Sequence, residues 1–362
     1  MATRTGIANL PLHHGKAPPW LFQRMVRLAR EITIAIVIEF GPEEVLRRLS
    51  HPYWFQALGC VLGFDWHSSG VTTTLCGALK EGLKGMERRL GLFVAGGKGR
   101  TSRQTPGEIE TWGDRLSLNP APLVYASRMS AKVDSAALQD GYQLYHHTFL
   151  FTSKGFWAVV QQGMNETNRY ARRYHWLGET VSDFVNEPHA GILTEKTGTA
   201  LNLVASESSP ARITITGIAT EEKPEKVIAD LKKLKTLTLP RRHEIMLNDL
   251  HPDSLSKIVL STYERQPQNF EQLLSLPGVG PKTIRALSLI SELIYGVPPS
   301  YRDPARYSFA HGGKDGIPYP VDRKTYDQSI EVLHRAIIKA KLGLSEKNEA
   351  MNRLGRMSSE LA

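Results

Sequence analysis

Between two segments of helical periodicity the chain contains the octet Leu276-Pro277-Gly278-Val279-Gly280-Pro281-Lys282-Thr283. Residues 269–275, before it, are predicted to form a short helix. After it, apolar residues recur at helical spacing, which gives the second helix one apolar face: Ile284, Leu287, Ile290, Leu293 and Ile294. Residues 269–295 are therefore predicted to form a helix-hairpin-helix.

The octet has the chemistry of a phosphate contact. Gly278 and Gly280 let the turn adopt positive φ and leave its backbone uncovered by side chains. The second helix then begins with free N–H groups, near Thr283, and with a positive dipole end. Lys282 adds a full charge. These features predict a sequence-independent contact with a nucleic-acid backbone, against the plainer alternative of a fortuitous tight turn.

The length, net charge and residue pattern of the chain indicate its domain organisation and the class of its partner. A chain of 362 residues favours two domains, and its net charge of +9 suits a polyanionic partner, here DNA. Residues 1–220 are predicted to be a mixed α+β domain with a β-hairpin formed by segments 142–152 and 155–162. Further strands are predicted at 201–205 and 212–217. Residues 221–362 are predicted to be a helical DNA-binding domain, so the fold class is α+β.

Composition also excludes several classes. Two cysteines are too few for a disulfide scaffold or a cysteine zinc site, and the longest apolar run, residues 34–38, is too short to cross a bilayer. The N-terminus lacks the apolar segment of a secretory signal. We expect a cytoplasmic protein with no membrane partner.

Two further basic segments are candidates for DNA contact. The glycine-rich loop 95–103 carries Lys98, Arg100 and Arg103, which could form an anion-binding concavity or a merely solvated turn. Arg172 and Arg173 are interleaved with aromatic residues. That pattern suits backbone contact with an aromatic filling the gap of a missing base, and it suits equally a surface helix anchored by its aromatics.

A polar strand offers a third candidate. The segment 139–147 includes Tyr142 and His147, which could contact a base or a sugar. His147 could also hold a metal ion together with Asp140 and His67, so a metal-dependent nuclease with its site in the N-terminal domain is an alternative function.

The C-terminal motifs resemble those of a known superfamily. The octet, followed by Val321-Asp322 at the start of a helix, resembles the endonuclease-III-like branch of the DNA glycosylase/AP lyase superfamily. The resemblance implies that Lys282 attacks C1′ of a damaged nucleotide and that Asp322 assists. No cysteine cluster follows, so an iron–sulfur site is excluded and no cofactor is expected.

The implied chemistry is physically consistent. A neutral amine condenses with the aldehyde of an abasic site, and the iminium then promotes β-elimination of the 3′ phosphate. Lys132, with Asp134 two positions on, is the second choice for this amine. The predicted function is thus a DNA-(apurinic or apyrimidinic site) lyase acting on abasic or damaged duplex, with DNA glycosylase activity as an additional expectation. A non-catalytic DNA-binding protein is a further alternative.

The chain as a whole resembles an archaeal and bacterial family known only as a domain of unknown function. The segments that carry this likeness are 4–20, 63–70, 96–103, 139–147 and 172–176. The likeness indicates kinship and implies no activity.

Overall fold

The computed structural model describes residues 17–64, 69–194, 197–234, 236–237, 252–305 and 323–360. At its centre is a five-stranded antiparallel sheet with the strand order β1-β3-β4-β5-β6. These strands are β1 (Leu92–Lys98), β3 (Gln143–Thr152), β4 (Trp157–Asn165), β5 (Tyr170–Leu177) and β6 (Gly191–Leu193). A smaller antiparallel sheet contains β2 (Leu138–Gln139), β7 (Thr199–Asn202) and β8 (Ser300–Arg302).

Helices cover the first face of the large sheet. They are α1 (Pro19–Phe40), α2 (Pro42–Ser50), α3 (Pro52–Val61) and α4 (Gly70–Leu83), joined by the C-terminal helices at Arg323–Lys339 and Leu344–Glu360. Since strand side chains alternate between faces, this side receives Val94, Leu150 and Val160, which pack with apolar residues of the helices.

The second face packs against a longer run of the chain. The helices there include α7 (Thr105–Leu116), α8 (Ala121–Lys132), a π-helical turn (Val133–Ala137), α9 (Ser209–Glu221) and α10 (Pro224–Leu234). They continue with α11 (Pro252–Arg265), α12 (Phe270–Ser275) and α13 (Pro281–Leu293), while the short helices α5 (Glu87–Leu90) and α6 (Arg100–Arg103) flank β1. Phe93, Phe149 and Trp176 of the sheet join this core.

The structure confirms the α+β class and the β-hairpin, whose strands pair from Gln143↔Met164 to Phe151↔Trp157. The strand predicted at 201–205 overlaps β7 (Thr199–Asn202) only at residues 201–202, because residues 203–205 form a turn. The strand predicted at 212–217 is wrong, because this segment belongs to α9. Pro210 lies in the first turn of that helix, and Ile215 is buried against its neighbours, so tertiary packing overrides the β-branched composition.

The two helices predicted around the octet are both present, as α12 and α13. That the pair acts as a DNA-binding helix-hairpin-helix stays a prediction, as does a domain boundary near residue 220. Within the described residues, no helix combines the length and apolar character needed to cross a bilayer.

Three doublets of identical polar residues form a polar belt across the large sheet. They are His146-His147 on β3, Gln161-Gln162 on β4 and Arg172-Arg173 on β5. The register pairs His146 with Gln162, His147 with Gln161, and Gln162 with Arg173. Because alternate residues point to opposite faces, each doublet supplies one side chain to each core.

Candidate nucleic-acid interface

The glycine turn, residues 276–280, connects α12 to α13. Asn269 begins α12 as an N-cap whose side chain accepts a hydrogen bond from the Gln272 amide at 2.8 Å. Gly278 has φ +85°, whereas Gly280 is extended at φ −144°. The expectation that both glycines adopt positive φ is therefore right for Gly278 and wrong for Gly280. Pro281 then begins α13, where no amide donor is needed.

This difference predicts unequal effects of two alanine substitutions. Gly278→Ala should destabilise the protein by about 1–2 kcal/mol, because an L-residue is strained at positive φ. Its added Cβ would lie 3.6 Å from Ile258 Cγ1, an ordinary contact, so the loss comes from the backbone. Gly280→Ala, whose Cβ would find its nearest atom 4.0 Å away, should cost little. Urea unfolding of both variants checks this, and equal losses would contradict it.

Lys282 is exposed in the first turn of α13. Among the described residues, its side chain has no hydrogen-bond or ion-pair partner. Thr283, in contrast, is buried at 2% exposure, so its side chain belongs to the helix packing and a surface contact from its hydroxyl is not available. The exposed features of this helix start are thus the Lys282 amine and the free end of the backbone.

Lys132, the second candidate amine, is hydrogen-bonded to the protein backbone. Its Nζ donates to three backbone carbonyls, those of Leu274 at 2.6 Å, Leu276 at 2.7 Å and Val279 at 3.3 Å. All three ammonium protons have acceptors in and beside the glycine turn. Lys132 therefore anchors this turn to the end of α8 and does not present a free amine.

Gln139 connects the start of α13 to the edge of the small sheet. Its Nε2 donates to the Pro281 carbonyl at 2.9 Å, and its Oε1 accepts from Arg285 Nε at 2.7 Å. Sequence reasoning missed this pair of partners. Gln139 and Arg285 are 146 positions apart, and no local pattern signals such a contact.

Arg172 is buried, which corrects its prediction as a DNA contact. Its guanidinium pairs with Asp140 at 2.8 Å and Asp303 at 2.7 Å, with only 1% of its side chain exposed. Burial opposes its charge, but the two carboxylates raise the pKa of Arg172 above its ordinary value. Tyr142, 7% exposed, lies beneath this guanidinium at 4.6 Å and offers no open face for base stacking.

Arg173 is buried on the opposite face, so it too does not reach a phosphate. It donates to Gln56 at 2.8 Å, Thr72 at 3.2 Å and His175 at 2.9 Å, and stacks over Phe55. No carboxylate in the described part of the chain pairs with it, and burial lowers its pKa to about 9. Both residues lie on a strand, so the alternative of a surface helix is wrong as well.

His147 is part of a buried hydrogen-bond chain, not a surface contact. Its Nε2 lies 2.9 Å from Ser127 Oγ and its Nδ1 lies 2.8 Å from Gln161 Oε1. Gln161 in turn donates to Asp134 on the π-helical turn, at 2.6 Å. Asp134 also accepts from Trp176 and His189. His147, 6% exposed, is therefore unavailable to a base or sugar in this arrangement.

The same contacts bear on the suggested metal site. Both ring nitrogens of His147 have partners, and Asp140 is bound to Arg172 and Tyr174. His67 lies outside the described residues, as does Asp322. Within the described ranges, no group of three or more His, Cys, Asp or Glu side chains is placed to hold a metal ion. The structure thus gives the nuclease alternative no metal centre at His147 and Asp140.

The buried histidines of the large sheet, two in the belt and His175 on β5, predict loss of stability in acid. Burial lowers the pKa of His146 to about 3 and also lowers the pKa of His147 and His175. The unfolded chain therefore takes up protons first as the pH falls below about 6.5. His146 alone should remove about 1.4 kcal/mol between pH 7.5 and 5.5, with the other two histidines acting in the same direction. Urea unfolding at pH 7.5 and 5.5 measures this, and a pH-independent midpoint would contradict it.

The glycine-rich loop is accessible at the end of β1. Lys98, Arg100 and Arg103 are all exposed. Gly96 has φ +86°, and a Cβ there would lie 2.3 Å from the His147 carbonyl oxygen, so the close approach of β1 to β3 requires glycine. Lys98 pairs in register with His146 near the start of β3. Phosphate contact by this loop stays a prediction.

The glycine-rich loop and the start of α13 are connected through the residues that precede β3. Lys98 ends β1, and its strand neighbour β3 begins at Gln143. Gln139, which contacts Pro281, precedes Gln143 by four residues, a span of at most about 14 Å. Two distant segments with exposed cations, Lys98 with its loop neighbours and Lys282, are thus linked through the start of β3 and Gln139. The exposed cations of these two segments are the candidate nucleic-acid interface.

Comparison with known proteins identifies the family of this chain. No curated protein and no solved structure is significantly similar to the chain. A family model described as "Protein of unknown function (DUF763)" matches residues 6–321, a range that includes the large sheet, the glycine turn and α13. Since this range covers most of the 362 residues, the chain belongs to the DUF763 family.

Proposed function

We propose that this protein binds DNA through the start of α13 and cleaves abasic sites as a lyase, with Lys282 as the amine. The observation that carries the proposal is the position of Lys282. It is exposed, lies in the first turn of a helix whose leading N–H groups favour phosphate, and has no partner among the described side chains. The exposed cations of the 98–103 loop would add positive charge to the same DNA contact.

The reaction uses atoms that the protein and DNA supply. The unprotonated Lys282 amine attacks the C1′ aldehyde of the open abasic sugar, and loss of water gives an iminium ion. The iminium acidifies the C2′ proton. Its removal by a base breaks the C3′–O bond, and the phosphate leaves with the bonding electrons. Water then hydrolyses the iminium and frees the lysine. A bound phosphate backbone holds the sugar within reach of the amine.

The geometry favours Lys282 over Lys132 as the nucleophile. Lys132 would have to give up three hydrogen bonds to carbonyl oxygens before it could react. Asp322, which the superfamily resemblance names as the assisting carboxylate, lies outside the described residues, so the proton acceptor in this step is not assigned. Removal of a damaged base by the same protein is a finer proposal that rests on the same amine.

The test uses the full chain and a duplex with one abasic site, in EDTA. A lyase cleaves this strand and is trapped covalently when borohydride reduces the iminium. A metal-dependent nuclease stops in EDTA, and a binding protein leaves the strand whole and unlabelled. Affinity measured at several salt concentrations should fall steeply, because phosphate contacts release counterions. An intact, unlabelled strand would refute the lyase, and an absence of DNA binding would refute the proposal altogether.

A further inference from the structure

Three carbonyl oxygens converge on one point beside the glycine turn. They belong to Leu274 and to Leu276 and Val279, and they lie 2.6, 2.7 and 3.3 Å from Lys132 Nζ. Carbonyls in the last turn of a helix have no intrahelical donor and accept from elsewhere, and the Leu276 carbonyl also accepts a bond of 3.3 Å from the Val279 amide within the turn. An ammonium group has three N–H donors, which matches three acceptors.

The arrangement has the form of a small cation site. Carbonyl oxygens that point to a common centre can replace the hydration shell of a compact monovalent cation. Here the ion is tethered, because it ends a side chain of α8. Burial lowers the pKa of Lys132, while hydrogen bonds to three carbonyl oxygens favour its protonated form. The half-buried ammonium charge of Lys132 is thus stabilised by backbone carbonyl oxygens.

We infer that Lys132 is a positioning residue, a built-in cation that fixes the glycine turn in the conformation from which α13 meets DNA. α8 packs on the second face of the large sheet, so the ammonium fastens the turn to the main body of the protein. The part of this inference that concerns DNA rests on the proposed function. The part that concerns the turn itself does not.

Removing the ammonium should loosen the turn and weaken DNA binding. Lys132→Ala removes the ammonium donor from three carbonyl oxygens, of which that of Leu276 keeps its bond from the Val279 amide, and Lys132→Met does the same while keeping the apolar stem. We expect the dissociation constant for DNA to rise at least about tenfold. Arg128→Ala is the matched control, since it removes one charge from an exposed position on the same helix. The control should change affinity less than either Lys132 variant.

Free ammonium ions should rescue the variants. We expect Lys132→Ala to bind DNA more tightly in ammonium chloride than in tetramethylammonium chloride at equal ionic strength, because only the former ion can donate hydrogen bonds and fit the site. The wild-type protein should bind equally in both salts. Borohydride trapping should persist in Lys132→Ala, at a reduced yield, because its role is to hold the turn.

A DNA-free measurement separates this inference from the proposed function. Hydrogen exchange in residues 276–284 should be faster in Lys132→Ala than in the wild type, and ammonium should slow it again. If the wild type binds no DNA but this exchange pattern is found, the proposed function fails and the positioning role stands. If both Lys132 variants keep wild-type protection in this segment and show no difference between the salts, the inference is overturned.

Discussion

Lys282→Ala is expected to abolish the borohydride adduct and to slow abasic-strand cleavage by about a hundredfold or more, because the variant lacks the nucleophile. The residue lies on the surface at the start of α13, so its truncation should leave the free energy of unfolding nearly unchanged. Trapping and cleavage on an abasic duplex in EDTA measure the effect. Peptide mapping of the wild-type adduct should place the label on Lys282.

Two companion variants separate chemistry from binding. Lys282→Arg keeps the positive charge beside the helix start, but a guanidinium does not lose its proton near neutral pH, so this variant should bind DNA without forming the adduct. Lys257→Ala removes an exposed lysine of α11, next to Ile258, which flanks Gly278. It should reduce affinity modestly and preserve trapping. If Lys282→Arg forms the adduct in wild-type yield, the nucleophilic amine belongs to another lysine.

Arg172→Met is expected to lower the free energy of unfolding by about 3–5 kcal/mol, because removing one partner of a buried ion pair leaves the other charge uncompensated. Two carboxylates are affected here. Asp140 would keep its bond from Tyr174, and Asp303 its bond from the Gly198 amide, but neither would keep a cation. Thermal and urea unfolding measure the loss, and a marginal protein would fail to accumulate in folded form.

Arg173→Met is the matched control one residue along the same strand. Its substitution removes three hydrogen bonds to neutral groups, yet it also removes a buried charge that no described carboxylate balances. These effects oppose each other, so the net loss should be smaller than for Arg172→Met, within about 2 kcal/mol. Equal losses would mean that both guanidinium groups are compensated to the same degree.

Much of the fold could be predicted from local pattern. The β-hairpin could be predicted because aromatic and β-branched residues surround a Ser153-Lys154-Gly155 turn. Helices α12 and α13 could be predicted because apolar residues recur at helical spacing on either side of the octet. The position of Lys282 in the first turn of α13 could be predicted for the same reason, since a helix start is a local feature, whereas its role stays a prediction. Its exposure in the structure agrees with what that position requires.

The partners of buried polar residues could not be predicted in this way. Arg172 and Arg173 have the composition of a phosphate-binding segment, and only their place on a central strand shows that both point into cores. Lys132 meets carbonyls more than 140 positions away. In α9, Ile215 and its neighbours have strand propensity, but packing against α11 and α13 favours a helix. Long-range contacts decided each of these cases.

The polar belt has a consequence for folding kinetics. A slip of one residue between neighbouring strands normally exchanges the side chains of the two faces. In the three doublets the exchanged side chains are chemically identical, so this half of the sheet discriminates poorly between the native pairing and a shifted one. The native register is therefore selected by the other half of the β3–β4 hairpin. There, Phe149, Phe151 and Trp157 pack in one core, and Leu150 and Ala158 pack in the other. Truncating those aromatic rings should therefore produce refolding intermediates with a shifted strand register that convert slowly to the native state. Substitutions within the belt should not.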